Sequence, residues 1–212
     1  MKKKKHGGAA LMLIGAVLLV LAAALTIFNM RRQTSAGEDA ENVLSALATA
    51  METQTPPETA EEPSADAPSE ELALPPEKRT MPTYEIEGIQ YLGVLEIPKL
   101  DVQLPVAADW DYDKLQIAPC RYTGSVYTDD LVIAAHNYTT HFGGLSELSV
   151  GDEIRFYGAD GTVYTYVASA FETLQPTEVE NMTVGEYPLT LFTCTWGGAS
   201  RVTLRCDRYI EN

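Results

Sequence analysis

Residues 190–208 have the sequence TLFTCTWGGASRVTLRCDR, in which two apolar runs flank a short polar stretch. Runs of this kind are typical of β-strands, and the glycines at positions 197 and 198 allow the chain to reverse between them. We therefore predict two adjacent antiparallel strands. Cys194 ends the first strand and Arg201 opens the second, so the pattern places the two side chains next to each other.

Cys194 has several interpretations: a buried core thiol, half of a disulfide, a metal ligand or a nucleophile. The chain has three cysteines and three histidines and no C-x-x-C spacing, which argues against a zinc site. We expect no metal and no organic cofactor. A nucleophilic thiol needs a proton partner and a group that stabilises an oxyanion, and the permanently charged Arg201 suits the second task. From spacing alone, a buried thiol remains the alternative.

The sequence before this pair of strands is also rich in strand patterns. Short apolar runs are interrupted by proline, glycine or polar residues, and helical stretches are few. Many short strands at this spacing favour a mostly β fold with a closed or nearly closed barrel. The runs are YLGVLEIP (91–98), VQLPV (102–106), LVIAA (131–135) and EIRFYGADGTVYTYVASAF (153–171), and the helical stretches are 109–115, 143–148 and 177–182.

His136 is the candidate proton partner for Cys194. It follows the apolar run LVIAA, and a strand end lies at the rim of a barrel, where side chains are presented to substrate. A single histidine after an apolar strand is more often a structural residue, so the interpretation depends on the nearby thiol. His141 lies five residues further on, in a predicted loop.

Residues 1–32 predict a transmembrane helix. Lys2 to Lys5 precede an uncharged apolar run over 9–28, and Arg31 and Arg32 close it. About 20 helical residues span roughly the 30 Å hydrocarbon core of a bilayer. The alternative is a signal peptide cleaved near Ala22–Ala24, although the apolar run is longer than usual for one. The lysines predict a single-pass protein of the cell membrane with a cytoplasmic N-terminus and an extracellular remainder.

Residues 33–82 predict an acidic, proline-rich linker. They hold seven of the 12 prolines, with 11 acidic and two basic residues, a net charge of −9. Such a segment buries too little apolar surface to fold alone. Within it, EDAENVLSALATAME (38–52) has apolar residues near helical spacing. Two interpretations are open for this stretch: a helix that lies against the folded domain, and a fluctuating helix in the linker. The second is favoured.

Residues 83–212 then form one folded domain. The whole chain carries a net charge of −15, and an acidic body argues against nucleic acid as a partner, since phosphate binding needs basic patches.

Several motifs in this domain resemble those of the sortase family, the cysteine transpeptidases of Gram-positive cell surfaces. TLFTC (190–194) resembles the T-L-x-T-C signature, and RVTLRCDR (201–208) is similar to the following strand, which opens with the essential arginine of the family. LVIAAHN (131–137) resembles the segment that carries the sortase histidine. The first strands and the segment before the histidine strand match at LGVLEIPKLDVQLPV (92–106) and APCRYTGS (118–125), in family order over roughly 91–208.

The resemblance implies a sortase-like closed β-barrel with a few short helices, preceded by the transmembrane helix. It also implies that Cys194 is the nucleophile, His136 the acid–base partner, Arg201 the oxyanion stabiliser and Thr193 a substrate-binding residue. The implied reaction cleaves an LPxTG-like C-terminal sorting signal of a surface protein between Thr and Gly. The acyl group then passes to an amine of the cell wall, a peptidoglycan precursor, or to a pilin lysine.

The sequence departs from the family where Cys120 and Cys206 stand at positions that are commonly glycine, and a disulfide between them remains open. The short loop from Cys194 to Arg201 resembles those of classes C and D. The linker has no tryptophan and the sequence shows no second membrane helix after the domain, which favours a class D-like enzyme. The alternatives are a pilin-polymerising class C-like sortase, a membrane-anchored thiol peptidase and a non-catalytic β-barrel binding module.

Overall fold

A computed structural model describes residues 7–53 and 74–210 of the chain. Residues 54–73, which belong to the predicted linker, lie outside the described residues, as do 1–6 and 211–212. The chain divides into two compact units, Met1–Ser35 and Ala36–Asn212.

The larger unit is built on β-strands whose side chains alternate between two environments. Along β6, for example, Ile154 and Phe156 are buried while the residues between them are partly exposed. The strands are β1 (Tyr84–Ile86), β2 (Ile89–Ile97), β3 (Val102–Ala107), β4 (Cys120–Thr123), β5 (Leu131–Ala134), β6 (Glu153–Gly158), β7 (Val163–Leu174), β8 (Leu189–Cys194) and β9 (Arg201–Arg208).

Eight of these strands close into a barrel. The strand order is β1-β2-β3-β4-β5-β8-β9-β7-β6, and an additional pairing of β2 with β6 closes the ring, with β1 as an extension of the β1–β2 hairpin. Two neighbouring pairs, β3–β4 and β5–β8, are parallel, and the other pairs are antiparallel. The predicted mostly β fold with a closed barrel is confirmed.

Two apolar clusters lie on opposite faces of the barrel wall. The barrel core includes Ile133, Leu191 and Leu204, which are neighbours across β5, β8 and β9. The outer cluster includes Ala134 and Phe192, the next residues along β5 and β8. Because successive side chains of a strand point to opposite faces, the shift by one residue separates the two clusters.

The helices of the larger unit that follow β3 are short, as predicted. They are α2 (Tyr112–Ile117) and α3 (Val179–Met182), with single 3₁₀ turns at Pro76–Lys78, Pro98–Leu100 and Leu145–Glu147. Helix α2 is capped by Asp111, whose Oδ1 accepts the backbone N–H of Asp113 at 2.8 Å. A carboxylate at this position satisfies backbone donors that the first helical turn leaves without partners.

Helix α1 (Gly7–Thr53) extends well beyond the predicted transmembrane run. The sequence favoured a fluctuating helix over 38–52, whereas in the structure this stretch belongs to α1 and packs against the rest of the larger unit. Ala36, Ala40, Val43 and Leu47 are buried in the larger unit. Their spacing of four, three and four places them on one face of the helix. Val43 and Leu47 belong to the outer cluster with Tyr84 and Tyr91, and this packing explains the helix in a segment of linker-like composition.

The N-terminal part of α1 has the properties of a membrane span. Among the described residues, α1 is the one helix that is long and apolar enough to cross a membrane, by length and composition. Its apolar side chains from Leu11 to Phe28 are exposed, as expected of a helix that faces lipid. This helix is a candidate membrane anchor.

Candidate active site

The β8–β9 hairpin brings Cys194 and Arg201 together. The two residues are direct partners, at the last pair before the connecting loop. Directly opposed residues of antiparallel strands have Cβ atoms about 4.5–5.5 Å apart. Both residues are half-buried, so this pair lies at a surface that solvent reaches. The hairpin predicted from the sequence has this register.

The loop between Cys194 and Arg201 is closed by its own hydrogen bonds. The N–H of Thr195 donates to the carbonyl of Ser200 at 2.9 Å, and the N–H of Ser200 donates to Thr195 Oγ1 at 3.0 Å. Gly197 and Gly198 have φ of 86° and 76°, a left-handed conformation that favours glycine. The loop therefore holds the two strand ends in register.

The parallel pairing of β5 with β8 places His136 level with Cys194. Ala134 is the partner of Phe192, and His136 and Cys194 are each two residues further along their chains. The backbone bond from the N–H of Ala135 to the carbonyl of Phe192, at 3.2 Å, continues the pairing beyond the strand end. Neighbouring strands lie about 4.8 Å apart. The histidine segment therefore runs beside the cysteine.

Two side chains fix the histidine segment against β8. Thr193 Oγ1 donates to the carbonyl of Ala135 at 2.8 Å, and Asn137 Nδ2 donates to the carbonyl of Thr195 at 3.4 Å. The half-buried ring of His136 lies against Tyr138, with the centroids 4.7 Å apart. Thr193 is buried, so its hydroxyl links β8 to the histidine segment.

Arg201 rests on the carbonyls of its own loop. Its Nη1 donates to Gly198 O at 3.2 Å and to Ser200 O at 3.1 Å. Within the described residues, the Nε and Nη2 groups make no hydrogen bond. A guanidinium held in this way keeps N–H donors for an oxygen bound at the sulfur, and its charge strengthens such bonds.

The other two cysteines are buried, and no disulfide joins them. Cys120 belongs to the outer cluster and Cys206 to the barrel core, and all three cysteines are free. Burial raises the pKa of the Cys120 thiol to about 11 and the pKa of the Cys206 thiol well above its usual range. A thiol that stays protonated is a poor nucleophile. Of the three cysteines, Cys194 is the one that is not fully buried.

The other arginines of β9 lie away from the sulfur. Arg205 is the partner of Thr190, four residues before Cys194, and its side chain is almost completely buried. Arg208, at the far end of the strand, forms an ion pair with Asp129 at 2.7 Å. Neither arginine is the strand partner of Cys194, and Arg201 is.

His141 is a buried titratable residue that the sequence did not single out. It is fully buried, and neither ring nitrogen has a hydrogen-bond partner within the described part of the chain. Burial, and then the nearby His136, lowers the pKa of His141 to about 4, while the backbone of Ala36 and of Ile117 acts in the opposite direction. Its polar sequence surroundings, NYTTH, gave no sign of burial.

The described residues contain no group of three or more His, Cys, Asp or Glu side chains that would hold a metal ion.

Comparison with known proteins identifies the family of the chain. A family model described as Sortase domain matches residues 95–209, which is more than half of the chain. The chain therefore belongs to the sortase family. The matched region contains every residue of the candidate site.

Individual relatives come from two sortase classes. The chain is 29% identical over 116 residues to Sortase D of Bacillus subtilis (strain 168), a match that covers 53% of this chain and 58% of the relative. The match thus spans less than two thirds of the length of that relative.

Among solved structures, sortase C1 from Streptococcus suis is 26% identical with a TM-score of 0.50, over 57% of this chain and 74% of that one. Sortase C of Streptococcus pneumoniae is 22% identical with a TM-score of 0.51, over 60% of this chain and 72% of that one, and supports the fold alone.

Proposed function

We propose that the protein is a cysteine transpeptidase that cleaves an LPxTG-like sorting signal between Thr and Gly and joins the acyl group to an amine of the cell wall. The observation that carries this proposal is the juxtaposition of three side chains. Cys194 faces Arg201 across the hairpin, and His136 lies level with Cys194 on the adjacent parallel strand. This arrangement supplies a nucleophile, an oxyanion stabiliser and an acid–base group.

The first half of the reaction forms an acyl-enzyme. Cys194 Sγ, as the thiolate, attacks the carbonyl carbon of the Thr–Gly bond. The oxyanion that develops accepts hydrogen bonds from the guanidinium of Arg201. The protonated His136 donates its proton to the leaving amine of glycine, the C–N bond breaks and a thioester remains on Cys194.

The second half resolves the thioester with an incoming amine. Neutral His136 accepts a proton from the attacking amine, a new amide bond forms, and the Cys194 thiolate leaves. The buried link from Thr193 to the carbonyl of Ala135 keeps the histidine segment beside the sulfur during both halves. A mechanism of this kind has ping-pong kinetics.

A fluorogenic LPxTG-type peptide, incubated with the full chain in detergent micelles, tests the proposal. Cleavage should give an amine-dependent product when excess oligoglycine or a diamine is present. Cys194→Ala should lose activity almost completely. Cys206→Ala is the matched control, because that thiol lies in the barrel core, on the opposite face of the wall from Cys194, and it should remain active.

The alternatives give different results in the same assay. Hydrolysis without any amine-dependent product would indicate a membrane-anchored thiol peptidase. Peptide binding that persists in Cys194→Ala, without cleavage by the wild-type protein, would indicate a non-catalytic binding module.

For the class, we propose a class D-like enzyme that uses a peptidoglycan precursor as its amine. The 29% identity to Sortase D supports this choice. The likeness to sortase C1 at 26% identity favours the second candidate, a class C-like enzyme that transfers to a pilin lysine. A competition between an oligoglycine and a lysine-containing pilin peptide distinguishes them by which adduct forms faster.

For the location, we propose that α1 anchors the protein in the cell membrane with Lys2 to Lys5 in the cytoplasm and residues 83–212, the catalytic domain, outside. Protease added to intact protoplasts should then digest the domain. N-terminal sequencing of the mature protein distinguishes an anchor from a signal peptide, because cleavage near Ala22–Ala24 would leave a new N-terminus there.

A further inference from the structure

Arg205 is the largest fully buried side chain among the described residues, with 1% of its surface exposed. A charged group out of water is stable only when its donors are paired. Arg205 lies on β9 two steps of the pleat from Arg201, so both side chains point to the outer face of the barrel. The same face carries Cys194.

Each nitrogen of the guanidinium makes a hydrogen bond, and the partners come from three elements. Nε donates to Glu172 Oε2 on β7 at 2.8 Å. Nη1 donates to Thr190 Oγ1 on β8 and to the carbonyl of Met182, both at 3.1 Å. Nη2 donates to the carbonyl of Asn181.

The segment that Arg205 binds is the connection between β7 and β8, residues 175–188, which we name the β7–β8 segment. It contains α3, whose last carbonyls are those that accept from the guanidinium. The ring of Tyr187, near the other end of the segment, lies 5.2 Å from the guanidinium carbon of Arg205. Arg205 thus contacts the segment at two places and joins it to the barrel wall.

This segment borders the candidate active site. The buried side chain of Met182 belongs to the outer cluster with Ala134 and Phe192. Those two residues precede His136 and Cys194 by two positions, on the same strand faces. The surface that leads to the sulfur along the outer face therefore has the β7–β8 segment as its wall.

The barrel surface beside this segment carries a buried hydroxyl group, that of Thr203. Thr203, the partner of Phe192, lies between Arg201 and Arg205 on the outer face. It is fully buried, and its hydroxyl has no hydrogen-bond partner within the described part of the chain.

We propose that Arg205 is a positioning residue that fixes the β7–β8 segment as the wall of the groove for the peptide substrate. The inference rests on the proposed function, since it assumes a peptide donor. Four residues of strand separate Thr190 from Cys194, about 13 Å, so Arg205 does not reach the reacting atoms. Its loss should weaken peptide binding and leave the chemical steps largely unchanged.

Arg208 provides a matched control on the same strand. It also stacks on aromatic rings, those of Tyr164 and Tyr166, and it forms an ion pair with Asp129. Its hydrogen-bond partners, Asp129 and Val126, lie at the opposite end of the strand from Arg201 and outside the β7–β8 segment. Arg205→Lys and Arg208→Lys therefore make the same chemical change at two positions of β9, one in contact with the segment and one beyond it.

Steady-state kinetics with the full chain in detergent micelles test the proposal. Arg205→Lys should raise KM for the LPxTG-type peptide about tenfold, as expected from the loss of a charged hydrogen bond, with kcat within about twofold. Arg208→Lys should leave KM unchanged. Glu172→Gln, which weakens the same ion pair from its exposed side, should raise KM in the same direction and covers the case in which Arg205→Lys does not fold. Equal KM values in the Arg205 and Arg208 variants, or a fall in kcat alone, would overturn the proposal.

Limited proteolysis gives a readout that does not need activity. Cleavage within 175–188 should be faster in Arg205→Lys than in Arg208→Lys, because the carbonyls of Asn181 and Met182 lose donors. Unchanged proteolysis would refute the role of Arg205 even in an inactive protein. A wild-type chain that cleaves no peptide, with faster proteolysis in the variant, would instead refute the proposed function.

Discussion

Lowering the pH should weaken the fold through one buried side chain, His141. Its imidazole has no exposed surface and no hydrogen-bond partner for either nitrogen within the described residues. The ring lies against Tyr138, with the ring centroids 5.4 Å apart. The electrostatic effect of the nearby His136 further lowers the pKa of His141. A proton on His141 would therefore place a charge in the interior, which the backbone of Ala36 and of Ile117 offsets only in part.

The size and direction of the effect follow from the pKa. Burial lowers the pKa of His141 from 6.5 to about 4, so between these pH values the unfolded chain binds a proton that the folded chain does not. The contribution of His141 to the free energy of unfolding is fully present above pH 6.5 and is lost progressively as the pH falls towards 4. The total loss is roughly 3 kcal/mol, a large part of the free energy of unfolding of a typical domain.

Urea denaturation of the full chain in detergent, followed by far-ultraviolet circular dichroism at several pH values from 7 to 4, measures this loss. His141→Phe keeps a ring of similar size without a titrating group, so its stability should depend much less on pH. His136→Gln is the matched control and should retain most of the pH dependence. If the wild-type protein and His141→Phe lose the same stability over this window, the assignment to His141 is wrong.

Two further substitutions test the contacts that organise the domain and the site. Leu47→Ala removes a fully buried side chain of α1 from the outer cluster and should lower the free energy of unfolding by about 3 kcal/mol. Leu44 is half-buried, so Leu44→Ala should lower it much less. Equal losses in urea denaturation would refute the packing of this helix against the domain. Thr193→Val removes the hydrogen bond to Ala135 O, so it should lower the free energy of unfolding by about 1 kcal/mol and also slow peptide cleavage. Thr193→Ser keeps the hydroxyl and should retain the stability and the cleavage rate. Full cleavage by the valine variant would show that this hydrogen bond does not position His136.

Local patterns in the sequence were sufficient to predict the hairpin of the site. Two strand-like runs separated by a glycine-containing loop determine which residues face each other, so the pairing of Cys194 with Arg201 followed from spacing. The barrel class followed in the same way, from many short strands. The position of His136 beside Cys194 could not be predicted from local patterns. The pairing of β5 with β8 joins distant parts of the chain. The place of His136 after an apolar run made it a candidate, and the family resemblance was needed to assign it to the site.

The structured end of α1 and the buried loop histidine could not be predicted for a physical reason. Ala36 and Ala40 are as common in linkers as at positions where a helix packs closely, so the composition of 33–53 does not reveal the buried face. His141 lies in a polar loop sequence, and its burial depends on packing against residues distant in the chain. The burial of Arg205 depends in the same way on partners distant in the chain, Glu172 on β7 and Thr190 on β8.

The parallel pairing of β5 with β8 has a consequence for when the site first exists. Cys194 and Arg201 meet through a short hairpin, which forms early and locally, whereas His136 joins them only after 57 intervening residues have been arranged between the two strands. A complete chain whose barrel has not yet closed therefore carries the thiol and the guanidinium without the histidine beside them. Such a chain is unable to release a leaving amine, so the enzyme proposed here becomes competent only once its barrel has closed.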